Sequence, residues 1–325
     1  MTDYGFGWEF VDKQRLAVAL FAVSMAGKTR LSTIMPEEFG YGVLVNYDVG
    51  GRSLASISAE ERKRIALIVR PNGRPEYKMR GKERELNSEG EPIVLATHWR
   101  EELFDLAKRN WPTWMEAQLT SGAMVRGKHV PEDFKPEQLG WKTFDTMSQA
   151  STELLRESSI QQWFTDKNPT AGPKTPTLEV DAKWVMPAMG DYRMVQQLCV
   201  EAIEHWLSDL SVADSLHAIV NFQEGHTQDT ESGVVANSVM FGPFIEGRKG
   251  PRIAPPRFDA TLWLTRDIDK VSQTMKGVNV HIQPTEARVC GFKSPKPKDV
   301  PLNRIIGPNP EETREFWRWV LEMKS

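Results

Sequence analysis

An α/β fold with a mostly parallel central sheet is what this sequence predicts, and three observations predict it. Continuous apolar runs of strand length recur early in the chain, at residues 16–23, 41–47 and 64–69. Runs of this kind suit parallel strands covered on both faces, because a strand with one wet face alternates apolar with polar residues. Helix-forming stretches separate the runs, and strand, helix, strand in alternation argues for an α/β sheet. Further along, Val195, Leu198, Cys199, Ala202, Ile203, Trp206, Leu207 and Leu210 recur at three and four residues, which makes 192–210 an amphipathic helix with Asp191 placed as its N-cap.

The remaining elements follow from the same reasoning. Residues 30–35 are expected to start a helix after the first strand. Residues 71–92 are polar, charged and rich in Gly and Pro, which predicts a loop. Leu103, Leu106, Ala107, Trp111, Trp114 and Met115 give 93–118 helical spacing. Residues 141–146 form a short strand ending in an acid, and 148–157 look helical. The next strand is expected at 217–222, ending in Gln223 and Glu224, followed by a long Gly/Pro-rich loop over 225–257 and a strand at 258–264. Residues 278–282 and 287–292 are expected to close the fold as a hairpin, and 310–323 as a helix carrying Phe316, Trp317, Trp319, Val320 and Leu321. No internal repeat and no clean linker appears, so 1–325 reads as a single domain. Its insertions fall at about 71–139 and 158–190, with an extension over about 276–325.

Composition narrows the functional classes. A net charge of −3 gives no global pull toward a polyanion, so any nucleic-acid contact must come from a local patch. The two cysteines, Cys199 and Cys290, make no CxxC pair and suggest a reducing compartment. The early apolar run is too short to span a bilayer, and it lacks a signal-peptide cleavage site. A cytoplasmic protein, of a cell or of an infected host, with no membrane partner is therefore expected. The six histidines show no metal-ligand spacing.

One motif carries chemistry. The first apolar run leads into Ala22-Val23-Ser24-Met25-Ala26-Gly27-Lys28-Thr29, the pattern A-x-x-x-x-G-K-T between a strand and a helix. A phosphate chain needs backbone N–H donors wrapped round it and a countercharge, and a tight loop opening a helix supplies both. Candidate nucleotide-binding residues are Ala22, Ser24, Met25, Ala26, Gly27, Lys28, Thr29 and Arg30. Lys28 would reach the β- and γ-phosphates, and Thr29 would place its hydroxyl on Mg²⁺. Such a loop also needs an acid at the end of another parallel strand to hold Mg²⁺, and Asp145 is the candidate. Asp48, ending the second strand, could orient and deprotonate an attacking water. Gln223 could sense the γ-phosphate. Each of these three also has a plain reading, as a helix cap, a turn residue and an exposed edge residue.

The order of these parts resembles the RecA-like P-loop ATPases of phage recombination and replication modules, including the Sak-type single-strand annealing ATPases. The resemblance rests on the motif at 22–29, on Leu44-Val-Asn-Tyr-Asp48, on Thr143-Phe-Asp145-Thr-Met-Ser and on Asp191-Tyr192 opening a long helix. It continues through Ile219-Val-Asn-Phe-Gln223-Glu, Phe241-Gly-Pro-Phe-Ile-Glu-Gly247 and Arg257-Phe-Asp-Ala-Thr-Leu-Trp263. The first motif position is Ala22, where Gly is usual. The resemblance implies a RecA-like core that binds ATP and Mg²⁺ and assembles side by side, with ATP near the subunit boundary. It assigns the water-activating role to Asp48, the Mg²⁺ role to Asp145 and the coupling role to Gln223. A neighbour's cation would complete the site; Lys293 is the first choice for it and Arg288 the second. It also implies single-stranded DNA as a partner, on a loop carrying Arg248, Lys249 and Arg252. A non-hydrolysing nucleotide-binding assembly protein and a P-loop phosphotransferase are the alternatives.

Overall fold

The computed structural model describes residues 15–48, 52–55, 57–123, 130–167, 189–208, 216–228, 239–246, 253–269, 272, 275–285, 288–295 and 297–324. The first apolar run is β1 (Ala17–Ala22), buried along nearly its whole length. It feeds α1 (Lys28–Thr33), which is short because Pro36 follows closely and biases the chain before it toward extended backbone. Next come β2 (Tyr41–Asn46), the brief helices α2 (Arg52–Ala55) and α3 (Ala59–Arg62), and β3 (Ile65–Val69). The Ser58 side chain accepts from the Glu61 N–H and so caps α3.

The polar stretch expected to be loop contains strands. β4 (Arg74–Tyr77), β5 (Met79–Arg80), β6 (Glu83–Arg84) and β7 (Val94–His98) form two small antiparallel ribbons, β4 with β7 and β5 with β6. Cross-strand side chains hold them where an apolar face does not: Lys78 pairs with Glu85 at 2.9 Å, and the Arg84 guanidinium lies 3.9 Å from the Tyr77 ring centroid. The single helix expected over 93–118 is instead β7 followed by α4 (Trp99–Ala107) and α5 (Trp111–Ser121). The break comes at Asn110, whose side chain caps α5 by accepting from the Thr113 N–H, with Pro112 in the first turn.

β8 (Leu139–Asp145) leads into α6 (Met147–Lys167), ten residues longer at its C-terminal end than expected. α7 (Met189–Leu207) begins before Asp191, which lies buried in its first turn and is not the N-cap. β9 (His217–Gln228) outruns the expected 217–222 and pairs with β10 (Val239–Pro243), both within or beside the expected loop. The chain closes with β11 (Ala260–Ile268), β12 (Met275–His281), β13 (Gly291–Phe292), β14 (Asn303–Ile306) and α8 (Pro310–Lys324). The expected C-terminal hairpin is seen in part: β12 pairs antiparallel with β11, β13 follows it along the same strand, and an antiparallel bridge between Thr285 and Arg288 lies between β12 and β13.

Ten of the described strands form one sheet, in the order β14-β12-β11-β1-β9-β8-β2-β3, with β10 on β9 and β13 on β11. The six strands from β11 to β3 are all mutually parallel, and the additions to them are antiparallel. One face packs Phe21, Val45, Phe144 and Phe222 against α4 to α7, with Trp111 and Trp206 fully buried there. The other packs Leu20, Leu44, Trp141 and Leu262 against α1 and α8. Burying both faces explains why the parallel strands read as unbroken apolar runs.

Candidate functional site

β1, β2 and β8 run parallel and end at one edge of the sheet beside Gln223 of the longer β9, so the residues that directly follow them gather there. Ala22 ends β1 in ordinary strand backbone, so an alanine serves there as well as a glycine: among the described non-glycine residues only Met25 has a positive φ, at 63°. Gly27 is in the left-handed region at φ 93°, and a Cβ built on it would sit 3.0 Å from Val278 Cγ2. Both facts call for glycine at that position. The Leu31 N–H donates to the Gly27 carbonyl at 2.9 Å, which starts α1 directly from the loop.

Lys28 is buried and donates from Nζ to the Ala22 and Val23 carbonyls at 3.0 and 3.1 Å, folding back across the loop. Burial pulls its ammonium below the ordinary lysine value, and the charges of Asp145, Asp48 and Glu224 oppose that pull. The charges of three acids therefore reach one lysine: Asp145 at the end of β8, Asp48 just beyond β2 and Glu224 within β9. Thr29 Oγ1 donates to Asp145 Oδ2 at 2.5 Å, across 116 residues of chain. Asp145 ends β8, two strands from β1 with β9 between them, and is 1% exposed. Burial pushes its carboxyl above the ordinary aspartate value, Thr29, Asn221 and Lys28 pull it down, and Asp48 pushes it up.

A layer of polar groups supports this pair. Asn221 Nδ2 donates to Ser32 Oγ at 2.9 Å, and Thr143 Oγ1 donates to the Ser32 carbonyl at 2.8 Å, so α1 is bonded to both β9 and β8 beneath the loop. Asn46, Asp145 and Asn221 are in register across β2, β8 and β9 and so share a face. Asn46 Nδ2 and Asn221 Oδ1 are buried without a partner among the described residues. The Thr29 hydroxyl, the Asp145 carboxylate and the unpartnered Asn221 Oδ1 are oxygens that suit Mg²⁺, which keeps several waters and takes few protein ligands; the Asn46 Nδ2 is a donor and does not. Among the described residues no group of three or more His, Cys, Asp or Glu could hold a metal by itself.

The other expected residues divide. Asp48 is exposed just beyond β2, its N–H bonded to Asn46 Oδ1 at 2.8 Å, and close enough to act electrostatically on Lys28 and Asp145. Gln223 is exposed, aligned with Ala22, and its N–H is held by Ser148 Oγ at 2.8 Å. Arg30 turns away from the loop to the Gly307 and Pro308 carbonyls, so only its backbone faces the site. Lys293 lies at the far edge: its N–H donates to the Asp259 carbonyl, and Asp259 bonds Ala17 at the start of β1. At ~3.3 Å per residue, that is about 17 Å from Ala22 in the same chain. Its Nζ donates to the Pro256 carbonyl at 2.8 Å. Arg288 is nearer, 3.6 Å from the ring centroid of Trp263, which is aligned with Phe21.

Arg248, Lys249 and Arg252, the residues expected to meet DNA, lie outside the described residues. Arg257, also basic and in that stretch, is taken up by Glu204 at 2.8 Å. Phe241 packs against His226 and under the Arg288 guanidinium.

Ser32, Asn46, Asn221, Glu224 and Arg266 were missed by sequence reasoning. Asn221 left one signal, an amide inside an otherwise apolar strand, Ala218 to Phe222. Glu224 accepts from Trp263 Nε1, a pairing fixed only by strand order. No protein-family model matches the chain, and no curated protein matches it. Among the described residues no helix is long and apolar enough to cross a membrane.

Proposed function

We propose that this chain is a Mg²⁺-dependent ATPase of the RecA-like P-loop kind. The observation that carries the reading is the 2.5 Å contact between the Thr29 hydroxyl and the buried Asp145 carboxylate, beside Lys28, with one strand between theirs. A structural strand-to-helix turn has no need to bury an acid against a hydroxyl in the field of a lysine: burying charge costs several kcal/mol, and groups held at such a cost cluster at functional sites. The strand order β11-β1-β9-β8-β2 supports the same reading, because it sets Asp48, Asp145 and Gln223 side by side at the loop.

In this mechanism Lys28 exchanges its two loop carbonyls for β- and γ-phosphate oxygens. Thr29 and Asp145 would hold the metal, which would neutralise charge on the phosphates. Asp48 accepts a proton from a water that attacks the γ-phosphorus in line, and the bond to the β,γ-bridging oxygen breaks. Gln223, tied through its N–H to Ser148 at the start of α6, reports the γ-phosphate to α6. A cation from a neighbouring copy, Lys293 or else Arg288, adds countercharge. Single-stranded DNA is the proposed partner, held by Arg248, Lys249 and Arg252, in recombination or replication of the phage type.

The test is phosphate release from ATP and Mg²⁺, with and without single-stranded DNA, for the wild type and Lys28→Ala. DNA-stimulated release that vanishes in the variant is the expected result. Release that persists in Lys28→Ala removes the proposed site. ATP binding without release in the wild type removes the hydrolase and leaves a nucleotide-gated assembly protein.

A further inference from the structure

We infer that Arg266 is a positioning residue for the phosphate loop, and that the β11–β12 hairpin holds that loop in its binding shape before any nucleotide arrives. The inference rests on the nucleotide reading above for its purpose, and on the loop's geometry for its content.

Leu262 and Leu264 of β11 belong to the core on the α1 face, so Arg266, two residues further, falls on that face beside the loop. Its Nε donates to the Met25 carbonyl and its Nη2 to the Ser24 carbonyl, both at 3.1 Å. Among the described residues no carboxylate pairs with it, so these two carbonyls are its partners. In a trans peptide the C=O and the following N–H point in opposite directions. Drawing the Ser24 and Met25 carbonyls toward Arg266 therefore turns the Met25 and Ala26 N–H groups away from it, the orientation in which loop amides cradle phosphate.

Met25 needs such a restraint. It holds φ 63°, a conformation costly for any residue with a Cβ, and its side chain is 83% exposed, so its own packing does not supply the restraint. The same hairpin makes a second contact: Val278 of β12 closes over Gly27, the next left-handed position. The last strand of the parallel core, β11, and its antiparallel neighbour β12 thus brace the two backbone positions that give the loop its bend.

Two measurements test this on the full chain: amide hydrogen exchange over residues 22–29 without nucleotide, and binding of a fluorescent ATP analogue with Mg²⁺. In Arg266→Ala, exchange speeds up and the analogue's Kd rises, each by about tenfold, the size of one residue's left-handed penalty. Arg266→Lys, with a single donor group for two carbonyls, falls between. Adding Met25→Gly to Arg266→Ala recovers most of the affinity, because glycine adopts that backbone freely. In turnover the loss sits in KM and leaves kcat within about twofold. Unchanged exchange in Arg266→Ala overturns the brace. Lost affinity with unchanged exchange also overturns it, since Arg266 would then touch the ligand itself. Faster exchange in a protein whose wild type binds no nucleotide keeps the brace and removes the ATP reading.

Discussion

At the scale of single residues the site is a set of charges held out of water, and that has a consequence for stability. Asp145 is buried, while Lys28 directs its hydrogen bonds to two carbonyls. Its ionised form is therefore less stable in the fold than in water. For an acid whose folded value is raised above 3.8, the native state binds more protons than the unfolded state above that pH. Stability contributed by this group then falls as pH rises through the window between the two values, and the cost is fully present above it. Asp145→Asn keeps the shape and the Thr29 contact while deleting the charge. The nucleotide-free variant is expected to be more stable than wild type at pH 7, by on the order of 1 kcal/mol; on the proposed function it also loses hydrolysis and any Mg²⁺-dependent gain in Tm. Thermal melts with and without ATP and Mg²⁺ read both effects; a less stable free variant would mean that Asp145 is paired well enough to serve the fold. Thr29, Lys28 and Asp145 were legible in the sequence because a short motif and a strand-end acid are local patterns. Asn221, Glu224 and Arg266 were not, since each acts through a partner 189, 39 or 241 residues away.

At the scale of elements, α8 decides how firmly α1 sits behind the loop at 23–27. Its apolar face buries Phe316, Trp317 and Val320, and Trp317 Nε1 donates to the Leu31 carbonyl of α1 at 2.8 Å. Arg314 of α8 reaches Glu61 of α3, whose side chain is only 4% exposed, and also meets Glu311 at 2.9 Å. Arg318 extends the network to Glu38 at 2.8 Å, on the surface. The exposed link contributes little, and the buried one is costly to break on one side only. Arg314→Met strands the Glu61 charge and is expected to destabilise the protein by about 3 kcal/mol. Adding Glu61→Met recovers most of that loss, because an apolar pair of similar volume fills the gap. Denaturant unfolding of both variants checks this, and a double variant no better than the single one would place the cost in packing. The α8 stripe was legible from its aromatic spacing. The β4–β7 ribbons were not, since strands of two to five residues with charged sides lack the period that marks a half-buried strand.

At the scale of the whole molecule, the parallel core was legible because strands covered on both faces must be apolar throughout. Strand pairing was not legible: it is the antiparallel pairing of β13 with the start of β11 that carries Lys293 to the edge opposite the loop at 23–27, and strand order that sets β9 between β1 and β8. The opposite edge has its own chemistry. His217 opens β9 there, stacked on Phe39 at 4.0 Å between ring centroids, with Nδ1 accepting from the Leu16 N–H at 3.2 Å. Burial lowers its imidazole from 6.5 to about 4, and the charges of Lys324 and Arg15 add to the shift. The acceptor at Nδ1 requires the neutral ring, so protonation would break the contact that ties the start of β1 to β9. The unfolded chain takes up this proton near pH 6.5 and the fold resists it until about pH 4, so stability from this group is full above 6.5 and is lost as pH falls. The loss from this residue amounts to about 2 kcal/mol by pH 5, as an upper figure. His217→Gln keeps an acceptor without the titration. Denaturant unfolding at pH 7 and pH 5 should show a smaller fall in stability for the variant than for wild type. Equal falls would assign the acid sensitivity to other groups, because His217 is then no longer the residue on which the unfolded chain gains its proton.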